Sequence, residues 1–304
     1  QRQVAMGYIN VIKTGVQNLN RNYQLLVIHM GTLILAFILF LLIVGIPLVI
    51  AFTKIGLELP EKGLTGLIEI IINNLSVYKT FVLTIITSLL TYLLISSLLF
   101  VYIIAGTCGV LTDSLKDGGS FSWKNFTHRG KELFGGFLRL SIVGILLFLL
   151  ISFFAGLIGG ITKVLLPARG GFLENFYTNL LNLIPIVFTL LATILFMATL
   201  TYGAGIMSIK RQGALKSLKG SVIFIFKNPD ALFFFVILSL TGIVLTTTTG
   251  LLSLLLKGFS FVLFQLILSF VQIYVNLAII SSSFAYLTKE QDQTEKVGSL
   301  GVRF

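Results

Sequence analysis

The chain has 304 residues, 56% of them hydrophobic, with a mean hydropathy of +1.01 and only 11% charged residues. Soluble domains carry roughly 25% charged residues, so a water-soluble globular fold is excluded. The formal net charge is +11. It lies between apolar runs and builds no basic arm or helix, which argues against a nucleic-acid partner.

Six apolar runs follow one another, at about 23–52, 80–112, 134–165, 176–208, 230–256 and 259–287. Each exceeds the ~20 residues needed to cross a ~30 Å hydrocarbon core. Most are longer than that, so tilt or extension beyond the bilayer is expected. The expected fold class is all-α: a polytopic integral membrane protein with six transmembrane helices, 1–304 forming a single transmembrane domain. Alternating strands of the β-barrel kind are absent from the sequence. No cleavable signal peptide is visible, and because the chain opens on Gln1 rather than Met, the sequence leaves open whether its native start lies before Gln1.

In chain order, residues 7–19 mix Tyr8, Ile9, Val11, Ile12 and Val16 with Asn10 and Lys13. The first run has no hydroxyl or amide side chain between Leu33 and Phe52. The loop after it, 53–79, is the longest, and its apolar stretch 64–75 can lie along the outer surface. The second run carries Thr80, Thr84, Thr87 and Thr91 at helical spacing. Residues 119–134 combine Phe121, Trp123 and Phe126 with Lys124, Arg129 and Lys131. The third run offers Ser141 and Ser152, with Thr162 at its far end. The fourth carries Thr178, Asn182, Pro185, Thr189 and Thr193 on nearly one face. Residues 214–227 interleave Lys216, Lys219 and Lys227 with large apolar side chains, and Pro229 suits the first turn of the next helix. The sixth run carries Gln265, Ser269, Gln272 and Asn276, again on one face.

The three basic, aromatic segments before runs one, three and five read as amphipathic interfacial lead-in helices, with Trp123, Lys124, Arg129, Lys216 and Lys219 at headgroup level. The alternative is ordinary loops with snorkelling lysines. Basic residues also orient the chain. With the N-terminus inside, sixteen Lys and Arg fall in the inner segments 1–22, 113–139, 209–229 and 288–304, and six in the outer ones. Both termini are therefore expected on the cytoplasmic side.

The ends of the even-numbered runs align without gaps as IAGTCGVLTD (104–113), LTYGAGIMSI (200–209) and ISSSFAYLTK (280–289). Gly109, Gly205 and Ala285 share a column, as do Leu111, Met207 and Leu287, and Thr112, Ser208 and Thr288. The expected organisation is three parallel two-helix repeats, at about 7–112, 113–208 and 209–288, followed by a cytoplasmic tail at 289–304. Parallel repetition differs from the inverted repeats of many secondary transporters.

Amides and hydroxyls find no partner in hydrocarbon. The returning helices 2, 4 and 6 are therefore expected to turn a polar interior face inward, built from Thr84, Thr87, Thr91, Asn182, Thr189, Thr193, Gln265, Ser269, Gln272 and Asn276. The outgoing helices would face lipid. Such a face serves either interhelical hydrogen bonds or a hydrated cavity on a pseudo-threefold axis. Gly106, Gly109, Gly203 and Gly205, with Ala285, allow close packing of the helix ends, or alternatively act as hinges.

No ionisable residue lies near a span centre, which weighs against ion-coupled transport and voltage sensing. Arg139 and His29 lie about a turn or two inside the inner boundary, where snorkelling is the ordinary explanation. The single Cys108 excludes an internal disulfide and a CxxC metal site. His128, Asp113, Asp117 and Glu132 share one inner segment, where solvated loop charges are the expected state. No phosphate-binding, dinucleotide-binding or hydrolase motif is present in the sequence. Neither an enzyme nor a cofactor is expected.

With its repeat, glycine-rich helix ends and a basic FKNP lead-in (226–229), the chain resembles the membrane domain of glycerophosphodiester phosphodiesterases and related six-helix families of bacteria and archaea. That family's catalytic domain has no counterpart in this sequence. The resemblance implies an accessory membrane domain in a bacterial or archaeal cytoplasmic membrane. Two functions are expected to compete. One is a non-catalytic subunit or scaffold whose partners are membrane lipids and other membrane-protein subunits. The other is a permease-like protein moving a lipid or amphiphile along the polar faces of helices 2, 4 and 6.

Overall fold

The computed structural model describes the backbone of residues 2–55, 75–165, 172–253 and 259–300. The apolar stretch 64–75 therefore falls almost wholly outside the described residues. Among the described residues all regular structure is helical: α1 Arg2–Arg21, α2 Gln24–Phe40, α3 Ile46–Ile55, α4 Leu75–Asp117, α5 Trp123–Leu165, α6 Phe172–Lys210, α7 Ala214–Lys227, α8 Pro229–Ser253 and α9 Phe259–Leu300. Six stretches are long and apolar enough to cross a membrane: Gln24–Ile50, Lys79–Asp117, Trp123–Ile161, Leu183–Lys210, Pro229–Thr248 and Phe264–Glu290. This is a multi-pass, all-α membrane protein.

Local chemistry explains the element boundaries. A π-helical turn, Leu41–Gly45, separates α2 from α3. It lies immediately before Ile46-Pro47. Proline lacks the N–H of a regular turn and its ring crowds the carbonyl four residues back, and a widened turn relieves that clash within one continuous span. The reversal after α4 uses Gly118 at φ 66, a left-handed position that glycine fills without steric cost. The following segment was expected to form a separate lead-in helix ending near residue 134. It is instead the first part of α5, a helix of 43 residues, about 65 Å long at 1.5 Å per residue. No proline interrupts it. Gly135 and Gly136 do not break it, and Gly136 is where Met207 of α6 packs: a Cβ there would lie 2.8 Å from the Met207 sulfur.

The chain divides into two compact units, residues 27–103 and residues 1–26 with 104–304. Within the first, Phe40 meets Tyr92 edge-on at a centroid distance of 5.3 Å, and Ser96 donates to the Tyr92 carbonyl at 2.7 Å. Within the second, the apolar core gathers Tyr202, Phe234, Phe235, Leu238, Tyr286 and Leu287 from α6, α8 and α9, with Val11 of α1. Phe234 stacks on Tyr286 at 5.0 Å and Tyr8 tilts onto Phe234 at 5.4 Å. The Tyr202 hydroxyl donates to the Ala231 carbonyl at 2.8 Å, so the ring's polar tip is satisfied inside the core.

Over their most apolar windows the candidate spans are little buried. Along the span windows of the outgoing helices 11, 6 and 28% of residues are buried, and along the returning ones 28, 6 and 11%. Burial concentrates at the helix ends that carry the aligned columns, where small side chains let backbones approach.

Candidate functional site

Those helix ends make one recurring contact. The start of α5 packs on the end of α4, where a Cβ on Gly106 would lie 2.7 Å from the Phe126 ring and one on Gly109 would lie 2.5 Å from the Arg129 Cβ. In the same way α7 packs on the end of α6, with Leu218 and Ser221 both 3.5 Å from a Cβ position on Gly203. Lastly α1 packs on the end of α9, where a Cβ on Gly15 would come within 2.4 Å of the Ser282 Cα. Each lead-in therefore docks on the returning helix that precedes it, and the first lead-in closes on the last returning helix. Gly205 serves a different contact, where an added Cβ would lie 2.9 Å from the Phe284 ring, and Ala285 is buried in the core.

The closing dock is polar as well as tight. The buried face of α1 runs through Val11, Gly15, Asn18, Leu19 and Asn22, at three- and four-residue spacing. The Asn18 amide donates to the Leu111 carbonyl at 3.1 Å and to the Ser281 hydroxyl at 3.2 Å. Ser281 donates onward to the Gly15 carbonyl at 2.8 Å. Asn22 donates to the Ser114 hydroxyl at 2.9 Å and to the Asn18 carbonyl at 2.8 Å. One small network thus ties α1, α4 and α9 together. The hydroxyls of Ser282 and Ser283 and the amide oxygen of Asn22 are buried without a hydrogen-bond partner.

A second polar cluster joins α4, α5 and α6. Arg129 grips Asp113 through both carboxylate oxygens, at 2.7 and 2.8 Å, and also donates to Glu132 at 2.6 Å. Arg211 lies 3.4 Å from the other Glu132 oxygen and His128 3.9 Å from Glu132. The Asp113 and Glu132 charges are thus paired rather than solvated, and Arg129, expected at the membrane interface, is turned inward with its side chain 15% exposed. Bidentate pairing fixes the relative angle of two helices as well as attracting them. Among the described residues no group of three or more His, Cys, Asp or Glu side chains is arranged to hold a metal.

The other expected interfacial residues are exposed: Trp123, Lys124, Lys216 and Lys219. Trp123 meets Phe121 and Phe126 edge-on at 5.3 and 6.0 Å. Leu215 and Phe226 of α7 are also exposed, at 71 and 76%, which leaves this lead-in an exposed apolar side. Its lysines line an open cleft of about 560 Å³ with Lys210, Phe224 and Glu290. On α1, partial burial and then the nearby Asp230 carboxylate hold the Tyr8 phenol above its ordinary value, so it stays neutral.

The residues expected to form one polar interior face differ in exposure. Gln265, Ser269, Thr189 and Thr193 are half-buried, whereas Thr84, Thr87, Thr91, Gln272 and Asn276 are exposed. Thr84, Thr91, Thr189 and Ser269 satisfy their hydroxyls on the carbonyl four residues back, at 2.6 to 2.8 Å. A threonine or serine can do this in any helix, which is why the sequence pattern does not by itself mark an interior. The side chain of Asn182 lies outside the described residues.

Asn18, Asn22, Ser281 and Gly15 are the site residues that sequence reasoning missed. The signal was the spacing of small and amide residues along α1. No family model, no curated protein and no solved structure matches the chain.

Proposed function

We propose that the chain is a non-catalytic subunit or scaffold of a larger membrane protein assembly. The observation that carries this reading is the exposure of Gln272 and Asn276 within the candidate span of α9. Primary amides facing hydrocarbon lose their hydrogen bonds to water and gain none. A neighbouring helix from another protein supplies those bonds. The apolar flanks around them, such as Ile267 and Phe270 at 57 and 44% exposed, suit the same contact. The resemblance to the membrane domain of glycerophosphodiester phosphodiesterases supports an accessory role of this kind.

In this reading the chain sits in a bacterial or archaeal cytoplasmic membrane with both termini and the basic lead-ins inside. Its three lead-in docks reflect three parallel repeats. The support for the repeat is the recurring dock and the buried aligned column, beside which Thr112, Ser208 and Thr288 each make the i−4 bond open to any helical serine or threonine. Leu111, Met207 and Leu287 are all at most 1% exposed.

The test is extraction from native membranes in mild detergent, followed by mass spectrometry of what co-purifies. A stable partner lost on Gln272→Leu is expected; release as free monomer only would overturn the reading. Cysteines placed at Gln265, Gln272 and Asn276 separate it from a lipid permease. Rapid reaction of all three with a water-soluble thiol reagent, in the full assembly, would favour a hydrated path instead. Cys108 is buried and gives little background.

A further inference from the structure

Arg139 lies on α5 inside the candidate span Trp123–Ile161. It is exposed and belongs to none of the ion pairs among the described residues. Snorkelling moves such a charge toward the surface but does not neutralise it. Here the side chain borders an open cleft of about 510 Å³, between α5 and the start of α7. Its walls are Ile142 and Val143 on one side and Gly213, Ala214 and Leu215 on the other, and Lys216 supplies a second cation. No carboxylate lines it. Lys216 also borders the neighbouring cleft with Lys210, Lys219 and Lys227, where Glu290 is the one acidic group. The positive field around this end of α7 is therefore reinforced rather than cancelled.

We infer that this cleft is a binding site for one anionic membrane phospholipid. The headgroup phosphate lies between the Arg139 guanidinium and the Lys216 ammonium, and an acyl chain runs along Ile142 and Val143. Charge complementarity selects the anion, since a phosphate offsets two cations that border one cleft with apolar walls and no carboxylate. The apolar walls select a lipid over a soluble phosphate, because Ile142 and Leu215, 52 and 71% exposed, remain uncovered by a small ion. The inference rests on the membrane reading of the chain, but not on any protein partner.

The test is native mass spectrometry of the delipidated full chain titrated with phosphatidylglycerol, phosphatidylcholine or inorganic phosphate. Phosphatidylglycerol is expected to bind most tightly. At about one surface-charge interaction per cation, Arg139→Gln weakens it roughly fivefold and the double variant with Lys216→Gln roughly thirtyfold. Lys289→Gln, exposed and outside the cleft, leaves it unchanged, and Arg139→Lys retains most of it. All variants are checked for an unchanged elution profile and helix content, so a loss of binding is separated from a loss of fold. Binding by the double variant within twofold of the parent overturns the site, as does equal affinity for phosphatidylcholine. Displacement of the lipid by inorganic phosphate at comparable concentration overturns the lipid as occupant. Failure of the chain to enter vesicles at all would instead overturn the membrane reading beneath it.

Discussion

Replacing Gly15 by alanine probes the dock that closes α1 on α9. The added Cβ would lie 2.4 Å from both the Cα and the hydroxyl of Ser282 and 2.6 Å from its backbone nitrogen. Carbon atoms pack at roughly 3.5–4.0 Å, so the helices must part by more than an ångström. The obstacle is backbone, which cannot rotate aside as a side chain would. Overpacking of this kind costs about 1–3 kcal/mol. Separation also stretches the Ser281 bond to the Gly15 carbonyl and the Asn18 bond to Ser281, at roughly 1 kcal/mol each. Alanine returns up to about 1 kcal/mol of helix propensity. The net expected loss is about 2–4 kcal/mol. A thiol-reactive dye reads it during heating or denaturant titration, because Cys108 is the sole cysteine and is buried. Gly135→Ala, with nothing within 4 Å of its added carbon, is the matched control and should be neutral or stabilising. If Gly15→Ala behaves like that control, the tight approach of α1 to α9 is wrong.

Two serines one residue apart should differ in sign. Ser281→Ala removes a hydroxyl that bridges Asn18 and Gly15 and should cost about 1–3 kcal/mol, whereas Ser282→Ala removes a buried hydroxyl that has no partner and should be neutral to stabilising; denaturant titration of the two variants side by side decides it. Asp113→Asn keeps the shape but loses the charge that Arg129 grips at 2.7 and 2.8 Å, and a loss of about 1–3 kcal/mol is expected, measured as a lower unfolding midpoint. Gln272→Leu should leave that midpoint within about 0.5 kcal/mol of the parent, as for other exposed positions, while abolishing co-purification of the partner; a large loss of stability would place Gln272 in this chain's own packing instead.

Much of the architecture was legible in the sequence because hydrocarbon imposes one rule, a long apolar helix per crossing. The boundaries of α7 fall where Gly213 and Asn228-Pro229 put them. The aligned Leu111, Met207 and Leu287 are all buried, and the aligned Thr112, Ser208 and Thr288 each bond the carbonyl four residues back. What could not be read was which surface the lead-ins cover. A short helix with mixed apolar and polar residues looks the same whether its apolar side rests on lipid or on protein. α1 carries Val11, Gly15, Asn18 and Asn22 on one face, and that face lies on protein; α7 keeps Leu215 and Phe226 exposed. The polar stripes are ambiguous for a related reason. Thr84 and Thr91 bond their own helix, so their periodicity is already accounted for by local satisfaction.

The placement of polar chemistry divides the molecule's tasks. Residues that are polar and internally satisfied, such as Asn18, Ser281, Asp113 and Arg129, lie where helices dock, and they specify angle and register. Apart from the buried oxygens of Asn22, Ser282 and Ser283 in the closing dock, the polar residues without a partner that this division turns on lie outside the docks: Arg139 on α5, and Gln272 and Asn276 on α9. An uncompensated charge or amide in an apolar segment is costly, and the cost falls when something outside the chain supplies the missing group. A charged position calls for an anion, and an amide calls for a donor and an acceptor. On this reasoning Arg139 answers to lipid headgroups and Gln272 to protein. Changing one should leave the other's binding intact, because the two sit on different helices and share no partner. Loss of both functions from either single change would mean that the surfaces are coupled through the docks, and that the docks transmit position rather than merely hold it.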